Sequence, residues 1–386
     1  MTEVLPQSEY GRLALSLSIA AFFQTCISGP LVATSLRFFS ISTLKKEQNS
    51  FFSTIKTILI FLIASYSATA LAVVSISFIF DLDKIYALSI FFALVTGIDS
   101  VYSGIQTAKR SRVIASFHQG LGVFFRFSIG FLVVNLYGGG AYGALIGYIL
   151  AGCGILISQM YFLKEILYSN SKQSKINQEM LLYGSKFAIF GFFSWLQSSA
   201  DRWSINYFLS IEDVGSYSVV YQLGYYPMIL LSSTLMQFIY PIIMQESSSK
   251  ETKLQSLVKI DKYAFNFFLI CLVAVILGEL FHPFLFKILT ASTFRESSKF
   301  LSVILFASGL FSVAQILSLR LELMMNVTLL AKIKIINSII GALIIIAITP
   351  LKGLSGVVYG TLTTSILYLI SIFYFSRRLD EGVAKD

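Results

Sequence analysis

The chain has 386 residues, of which 56% are hydrophobic and only 13% are charged, and its mean hydropathy is +0.77. A water-soluble domain carries roughly 25% charged residues, so this composition excludes that class and indicates an integral membrane protein. The net charge of +9 does not indicate nucleic-acid binding, because most of the basic residues lie in short segments between long apolar runs.

Apolar segments long enough to cross a bilayer follow one another along the whole chain. A helix needs about 20 residues to span a hydrocarbon core of roughly 30 Å. Eleven such spans are predicted, at residues 13–36, 57–79, 85–106, 117–137, 141–163, 183–208, 214–243, 263–286, 299–319, 333–349 and 354–376. The connections between them are short and polar, so the sequence predicts an all-α polytopic membrane protein without a soluble domain.

Basic residues are concentrated at one end of these spans. When the first loop, residues 38–56, is placed in the cytoplasm, most of the 29 Lys and Arg residues lie on the cytoplasmic side. Cytoplasmic loops of membrane proteins are enriched in Lys and Arg. The distribution therefore predicts an N-terminus outside the cell and a C-terminus inside it.

Two segments in the two halves of the chain resemble each other. GAYGALIGYILAGCGILISQMYFLK begins at Gly140, GLSGVVYGTLTTSILYLISIFYFSR begins at Gly353, and both contain the spacing G-x-x-G-x-x-x-G. Chance similarity between two apolar helices is the alternative, but the shared spacing and matching ends favour a repeat. Both segments run from outside to inside, so we predict a parallel repeat. It comprises a first bundle of five spans at 1–163, a cytoplasmic linker at 164–182 and a second bundle of six spans at 183–386.

A second pair of segments extends the repeat. SEYGRLALSLSIA aligns with EDVGSYSVVYQLG, which places Glu9 on Asp213 and Gly11 on Gly215. In the second copy this motif follows the span at 183–208, and the counterpart of that span would fall before residue 1. A six-plus-six repeat therefore predicts that the first helix is missing here. A start codon placed too far downstream, a truncated gene or a variant with eleven spans would each give this result.

Two blocks resemble a known family. SEYGRLALSLSIAAFFQTCISGPLVATSLRFF is similar to the second helix of bacterial polysaccharide-transport flippases, the O-antigen and capsule repeat-unit translocases of the multidrug/oligosaccharidyl-lipid/polysaccharide exporter superfamily. Arg37 occupies the place of an Arg at the cytoplasmic end of that helix. The block from Ala200 to Ile243, which begins ADRWSINYFLSIEDVGSYSVVY, resembles the family's Asp-Arg pair, its short outer loop and the Gly-x-Tyr that begins the eighth helix.

This resemblance implies two pseudo-symmetric helical bundles that open alternately to the two sides of the bacterial cytoplasmic (inner) membrane. The implied substrate is an undecaprenyl-pyrophosphate-linked oligosaccharide repeat unit for O-antigen, lipopolysaccharide or capsule biosynthesis. The implied partners are this lipid-linked oligosaccharide, the phospholipid bilayer and other polysaccharide assembly proteins, but no nucleic acid. No cofactor is expected, and coupling to H⁺ or Na⁺ is left open.

Three alternatives remain at this point. A cation-coupled drug exporter of the same superfamily is the nearest. A membrane glycan polymerase or ligase is disfavoured, because an enzyme of that kind needs a large outer loop with clustered chemical groups, and the outer loops of this chain are short. A non-functional remnant is disfavoured by the intact charge distribution and the uninterrupted second half.

Six charged residues lie well inside the predicted spans, where a charge near the bilayer centre costs about 2.5 to 3.5 kcal/mol. Such residues normally face a bundle interior or an aqueous cavity. They are Asp99, Arg126, Lys186, Asp201, Arg202 and Glu279. No group of His, Cys and carboxylate residues has the spacing of a metal site, so no metal site is predicted.

Three of these residues are candidates for substrate binding. Arg126 lies near the middle of its span, and its planar guanidinium suits the oxygens of a pyrophosphate or an acidic sugar. The alternative for Arg126 is an internal ion pair with Asp99. Arg202 is the second candidate, with snorkelling or structural pairing as alternatives, and Lys186 is the third, with contact to anionic lipid headgroups as its alternative.

The carboxylates are candidates for ion coupling. Asp99, Asp201 and Glu279 would carry H⁺ or Na⁺, since a desolvated carboxylate binds a proton at a pH nearer neutrality. The alternative for Asp99 and Glu279 is a hydrogen bond between helices. The alternative for Asp201 is snorkelling or structural pairing with a neighbouring helix.

Overall fold

The computed structural model describes residues 1–80, 83–169, 176–247 and 250–383. All regular secondary structure in these ranges is helical. The α-helices are α1 (Gln7–Phe23), α2 (Gly29–Leu44), α3 (Gln48–Phe80), α4 (Ile85–Ala108), α5 (Arg112–Tyr137), α6 (Gly140–Phe162), α7 (Lys164–Tyr168), α8 (Ile176–Phe208), α9 (Ile211–Glu246), α10 (Lys250–Leu289), α11 (Leu301–Leu323) and α12 (Val327–Val383). A π-helical turn, Gln24–Ser28, joins α1 to α2, and a 3₁₀-helix, Ser292–Phe300, precedes α11.

In the described part of the chain, nine helical segments are long and apolar enough to span a membrane. The predicted all-α polytopic membrane fold is therefore confirmed. The difference from eleven predicted spans has two sources. α8 is continuous but is not among the nine segments, because its polar and charged side chains lower its mean hydropathy. The range given for α12 contains two of the predicted spans, because it comprises two helices that meet at Gly353, where the backbone is not helical (φ 59°, ψ −143°). The number of spans and their orientation stay predictions.

The chain forms two compact units, Glu3–Trp195 and Leu196–Asp386. The division falls inside α8, whereas the linker predicted from the sequence is at 164–182, of which residues 170–175 lie outside the described ranges. The first part of α8 packs on α1 and the π-turn. The indole nitrogen of Trp195 donates a hydrogen bond to the carbonyl oxygen of Ser18 (2.8 Å), and Gly191 lies against the backbone of Thr25.

α4 is the central helix of the first unit. In its most apolar stretch 67% of the residues are buried, compared with 17% in α3 and in α5. Small residues explain this position, because Gly97 lies against Ser28 of the π-turn and Gly104 lies against Val32 of α2. Membrane helices associate through close packing at small residues rather than through the hydrophobic effect. α4 therefore brings its polar side chains into the interior of the unit.

α11 has the corresponding place in the second unit. Its span, counted together with the preceding 3₁₀-helix, is 67% buried in its most apolar stretch, and it contacts α9, α10 and α12. Gly309 lies against Cys271 of α10, and Gly224 of α9 lies against Ile304. Each central helix precedes its unit's copy of the glycine repeat, as expected for a parallel repeat.

The glycine repeat has the same local structure in both units. Gly140 and Gly353 both have a left-handed backbone, with φ of 54° and 59°, which only glycine adopts readily. Seven residues later, Gly147 packs on the backbone of α5, where an added Cβ would lie 2.5 Å from the Cα of Gly130. Its counterpart Gly360 packs on the preceding part of α12. The repeated glycines therefore begin a helix and bring it onto the helix before it.

Glu9, in the other repeated motif, has a structural role. Its carboxylate accepts a hydrogen bond from the backbone amide of Ala141 (2.8 Å), at the start of α6. A carboxylate at this position satisfies a free helix N–H and interacts favourably with the helix dipole. The aligned Asp213 has a different arrangement, because its carboxylate accepts a hydrogen bond from Ser210, the residue that caps α9.

Candidate functional site

Three helices of the first unit meet at the carboxylate of Asp99. Arg126 on α5 donates from Nη2 to Asp99 Oδ2 at 2.7 Å, and Gln159 on α6 donates from Nε2 to Asp99 Oδ1 at 2.8 Å. Gln159 also lies 3.1 Å from the hydroxyl of Ser103. The side chains of Arg126 and Asp99 are 25% and 17% exposed, so the pair is partly desolvated but reachable. The internal ion pair predicted as the alternative role of Arg126 is present.

The sequence of α4 places these groups on one face. Asp99, Ser103 and Gln106 follow the i, i+4, i+7 spacing, so their side chains point in one direction. Gln106 Oε1 is 3.2 Å from Nδ1 of the buried His118, whose Nε2 is 3.0 Å from the hydroxyl of Ser158. A polar network therefore runs along α4, between α5 and α6.

A cavity of about 600 Å³ opens beside this network. Its lining includes Arg126, Asp99, Gln119 and, from the π-turn, Gln24, and small residues of α2 and α4 leave room for it. The amide nitrogen of Gln24 donates to Ser100 Oγ at 2.6 Å. Within the described residues, Arg126 Nε and Gln24 Oε1 are buried and have no hydrogen-bond partner.

This arrangement combines a fixed guanidinium with unused hydrogen-bonding capacity. Asp99 takes one edge of the Arg126 guanidinium, which leaves other N–H groups at the cavity. A guanidinium has five donors in a planar fork, and it binds phosphate or carboxylate oxygens more specifically than an ammonium group does. The cavity is therefore suited to an anionic group, with amide and hydroxyl groups around it for neutral polar atoms.

The second unit contains a more deeply buried ionic cluster. Asp201 and Arg202, neighbours on α8, are 3% and 7% exposed. Tyr217 on α9 donates its hydroxyl to Asp201 Oδ2 at 2.7 Å. Arg202 Nη1 donates to the carbonyl oxygen of Ser198 at 2.7 Å and lies 3.4 Å from Asp201 Oδ1. For Arg202, this burial matches the structural-pairing alternative rather than snorkelling.

Aromatic rings continue from this cluster. The guanidinium of Arg202 lies 4.4 Å from the ring centroid of Tyr221, which stacks on Tyr225 at 4.4 Å. Phe311 of α11 follows at 6.2 Å from Tyr225 and stacks on Tyr368 at 5.1 Å. Residues four apart on α9 share a face, and this spacing produces the ring series. Arg202 is thus held by a carboxylate, a carbonyl and a π-face.

The two remaining predicted site residues lie apart from these clusters. Lys186 is exposed on the first part of α8, and Glu279 is exposed on α10, where it accepts a hydrogen bond from the hydroxyl of Ser302 at 2.6 Å. For Glu279, the helix-to-helix hydrogen bond predicted as its alternative is present. The structure therefore groups the predicted residues into two pairs, Asp99 with Arg126 and Asp201 with Arg202.

Sequence reasoning missed the neutral partners of both carboxylates. Gln159 and Tyr217 are not ionisable near neutral pH, whereas the candidates were chosen as charged residues inside apolar spans. A signal for Gln159 exists, because a buried amide is costly without a hydrogen-bond partner and it lies in the otherwise apolar and glycine-rich α6. Tyr217 is harder to single out, since several tyrosines follow on the same helix.

Comparison with known protein families identifies the chain. The sequence model of a family described as polysaccharide biosynthesis protein matches residues 1–247. The chain belongs to this family. The membership confirms the resemblance to polysaccharide-transport flippases. No curated protein matches the chain.

Several solved structures share the fold of this chain. An inward-facing multidrug resistance MATE family transporter of the MOP superfamily has a TM-score of 0.75 at 14% identity, covering 99% of this chain and 92% of that one. The lipid II flippase MurJ, in an inward closed conformation, has a TM-score of 0.70 at 15% identity, covering 97% and 82%. A MOP superfamily transporter from Pyrococcus furiosus has a TM-score of 0.59 at 15% identity, covering 100% and 90%. At these identities the likeness establishes a MOP-type transporter fold.

Proposed function

We propose that this protein is a flippase that translocates an undecaprenyl-pyrophosphate-linked oligosaccharide repeat unit across the bacterial cytoplasmic membrane. It would act by alternating access, without making or breaking a covalent bond, in O-antigen or capsular polysaccharide biosynthesis. The family description, polysaccharide biosynthesis protein, and the fold shared with a protein described as a lipid II flippase both support a lipid-linked glycan as substrate.

The placement of Arg126 is the observation that carries this proposal. Its guanidinium is fixed on one side by Asp99, lies at a cavity of about 600 Å³ and has a buried Nε without a partner among the described residues. A pyrophosphate or an acidic sugar would supply oxygens to the part of the guanidinium that lines the cavity. The amides and hydroxyls around the cavity would bind sugar hydroxyls, which both donate and accept hydrogen bonds.

Asp99 makes the drug exporter a specific second candidate. A cationic drug, or a coupled H⁺ or Na⁺, would compete with Arg126 for this carboxylate, and Asp201 and Glu279 are further candidates for coupling. The two functions depend on different members of the Arg126–Asp99 pair. A flippase for an anionic substrate depends on the guanidinium, whereas a cation-coupled exporter depends on the carboxylate.

Substitution of Arg126 by Lys tests the proposal. Lysine keeps a positive charge opposite Asp99 but lacks the planar fork, so the amount of folded protein should stay normal while translocation falls. Hydrogen bonds to charged groups contribute about 1.5 to 3 kcal/mol, which corresponds to about a tenfold to hundredfold loss. The measurements are the rate of translocation of a fluorescent lipid-linked oligosaccharide in proteoliposomes and the surface polysaccharide of a flippase-deleted host.

Arg112→Gln, at the exposed start of α5, serves as the matched control and should transport at the wild-type rate. Transport by Arg126→Lys and Arg126→Ala at the wild-type rate, at equal protein amounts, would contradict the role of Arg126. Export of labelled cationic drugs that is abolished by Asp99→Asn and retained by Arg126→Lys would support the drug exporter instead.

A further inference from the structure

A second polar cavity lies within the second unit, between α9 and α11. It has a volume of about 470 Å³. Its described lining comes from α9 except for Gln315, which lies on α11. The polar lining residues are Ser232, Ser233, Gln237, Tyr240 and Gln315. None of the described lining residues carries a charge, which distinguishes this cavity from the one at Arg126.

The repeat relates the two cavities. The alignment of Gly11 with Gly215, continued along the chain without a gap, superposes α1 and α2 on α9. It pairs four lining residues of the first cavity, Gly29, Val32, Ala33 and Leu36, with Ser233, Met236, Gln237 and Tyr240, which line the second. The two cavities therefore occupy equivalent places in their own units.

The turns after the two central helices align the remaining helices. Arg110 after α4 and Met325 after α11 both have a left-handed backbone, with φ of 62° and 58°. Aligned on this pair without a gap, Ser100 of the first cavity corresponds to Gln315, Asp99 to Ala314 and Arg126 to Gly341, and the glycine repeat pairs Gln159 with Ile372. The ionic cluster of the first unit is thus replaced in the second by residues without a polar side chain.

Two amides take the place of those charges at the cavity. Gln237 stands where α2 has Ala33, and Gln315 stands where α4 has Ser100. In the part of the chain that the structure describes, neither amide group has a hydrogen-bond partner. Polar side chains inside membrane spans normally face a bundle interior or an aqueous cavity, and an amide without a partner is costly in an apolar environment. The cavity is therefore built to receive hydrogen-bonding groups.

Glu322 is a charged residue on the same helix as Gln315, seven residues further on and so on a similar face. It interacts electrostatically with Lys334 of α12, and neither residue belongs to the described lining of the cavity. The two opposite charges compensate each other. They give the cavity no selectivity for an ion of either sign.

This lining chemistry selects an uncharged polyol as the occupant. A charged group would lose its hydration in the cavity without gaining an ionic partner from the described lining. An apolar group would leave both amides unpaired, and a site with hydrogen-bonding groups strongly rejects a ligand that lacks the matching hydroxyls. Sugar hydroxyls both donate and accept, so they match the NH₂ and the carbonyl oxygen of each amide.

We propose that this cavity binds uncharged sugar residues of the transported lipid-linked glycan, with Gln237 and Gln315 as the residues that recognise their hydroxyl groups. The inference rests on the proposed flippase function and adds to it. Recognition of the anionic group belongs to the first unit, at Arg126, and recognition of neutral sugars belongs to the second.

The test measures binding to the purified full-length chain in detergent by native mass spectrometry, which reports the mass of the bound species. The probes are undecaprenyl pyrophosphate and the lipid-linked oligosaccharides extracted from the source organism, which differ in the glycan. We expect the wild-type chain to bind the oligosaccharides at least tenfold more tightly. Gln237→Leu and Gln315→Leu should each weaken oligosaccharide binding about fivefold, as expected for one lost neutral hydrogen bond, and leave undecaprenyl pyrophosphate binding unchanged.

Thr234→Val is the matched control, because its exposed hydroxyl lies on α9 outside the lining and donates to the carbonyl oxygen of Leu230. It should bind both probes like the wild type. Arg126→Lys should weaken the binding of both probes, since both contain pyrophosphate, and so tests the flippase proposal separately.

Two results would overturn the sugar site while leaving the flippase proposal intact. One is equal binding of the two probes by the wild-type chain, and the other is an unchanged preference for the oligosaccharides in both Gln237→Leu and Gln315→Leu. Absence of binding of either probe to the wild-type chain would contradict the flippase proposal itself, and the sugar site with it.

Discussion

Asp99 and Asp201 are held inside the two units by the same kind of arrangement. Each carboxylate faces an arginine, and each accepts a further hydrogen bond from a neutral side chain, Gln159 in one unit and Tyr217 in the other. A buried charge is tolerated only when it is paired and its remaining lone pairs are satisfied. The neutral residue is therefore as necessary to the cluster as the arginine.

Removal of one hydroxyl group tests this necessity in the second unit. Tyr217→Phe leaves Asp201 Oδ2 without its donor at 2.7 Å, so the unfolding free energy should fall by about 1 to 3 kcal/mol, the usual cost of an unsatisfied buried polar group. The measurement is thermal unfolding in detergent followed by size-exclusion chromatography. Tyr226→Phe, at a position that is 53% exposed, should change the unfolding free energy by less than about 0.5 kcal/mol. Equal stability of Tyr217→Phe and the wild type would show that Asp201 finds another donor.

At the scale of the helices, the glycine repeat allows close packing in both units, but the two copies differ in how well they tolerate an added side chain. Gly147 faces the backbone of α5, at Gly130 and Ile129, whereas Gly360 faces the side chain of Ile345, where an added Cβ would lie 3.2 Å from Cγ1. A side chain can move by rotation, but a backbone moves only with its whole helix. The first copy of the repeat is therefore the more tightly constrained one.

Alanine substitutions at the two equivalent positions should differ for this reason. Gly147→Ala must push α6 away from α5 and should destabilise the protein by about 1 to 3 kcal/mol, the range for overpacking. Gly360→Ala should cost less, because Ile345 can shift by a few tenths of an ångström. Parallel thermal unfolding of the two variants measures the difference. A larger loss in Gly360→Ala than in Gly147→Ala would mean that the backbone contact at Gly130 is not limiting.

For the whole molecule, the division inside α8 decides which parts of the chain belong together. The first part of α8 follows the predicted linker in sequence but packs on the first unit, through Trp195 with Ser18, Gly191 with Thr25 and the edge-to-face rings of Trp195 and Phe22. By these contacts the first part of α8 belongs to the first unit.

Cleavage before α8 tests this connection. A protease site inserted at residues 170–175 yields a second fragment that begins with α8, and we expect both fragments to elute together from a size-exclusion column in mild detergent. Gly191→Leu is the matched disruption, because a side chain at this position would collide with the backbone of Thr25, and it should promote separation. Separate elution of the otherwise unchanged fragments would contradict the role of α8.

The sequence allowed only the charged residues of the candidate site to be predicted. A charge inside an apolar span is visible from residue types alone, and this is why Asp99, Arg126, Asp201 and Arg202 are among the sequence candidates. Their grouping into two pairs requires the arrangement of the helices, and so does the separation of Glu279 from both. The amide of Gln159 joins Asp99 only because α6 packs against α4.

The sequence by itself determined the membrane class, the helical secondary structure and the parallel repeat. Backbone polar groups in a bilayer must be satisfied within each segment, so apolar runs of this length become helices, and the G-x-x-G-x-x-x-G spacing is local. Only the tertiary structure decided that α4 and α11 are the central helices and that the units divide within α8. The physical reason is that membrane helices are almost equally apolar, so their neighbours are chosen by shape and close packing.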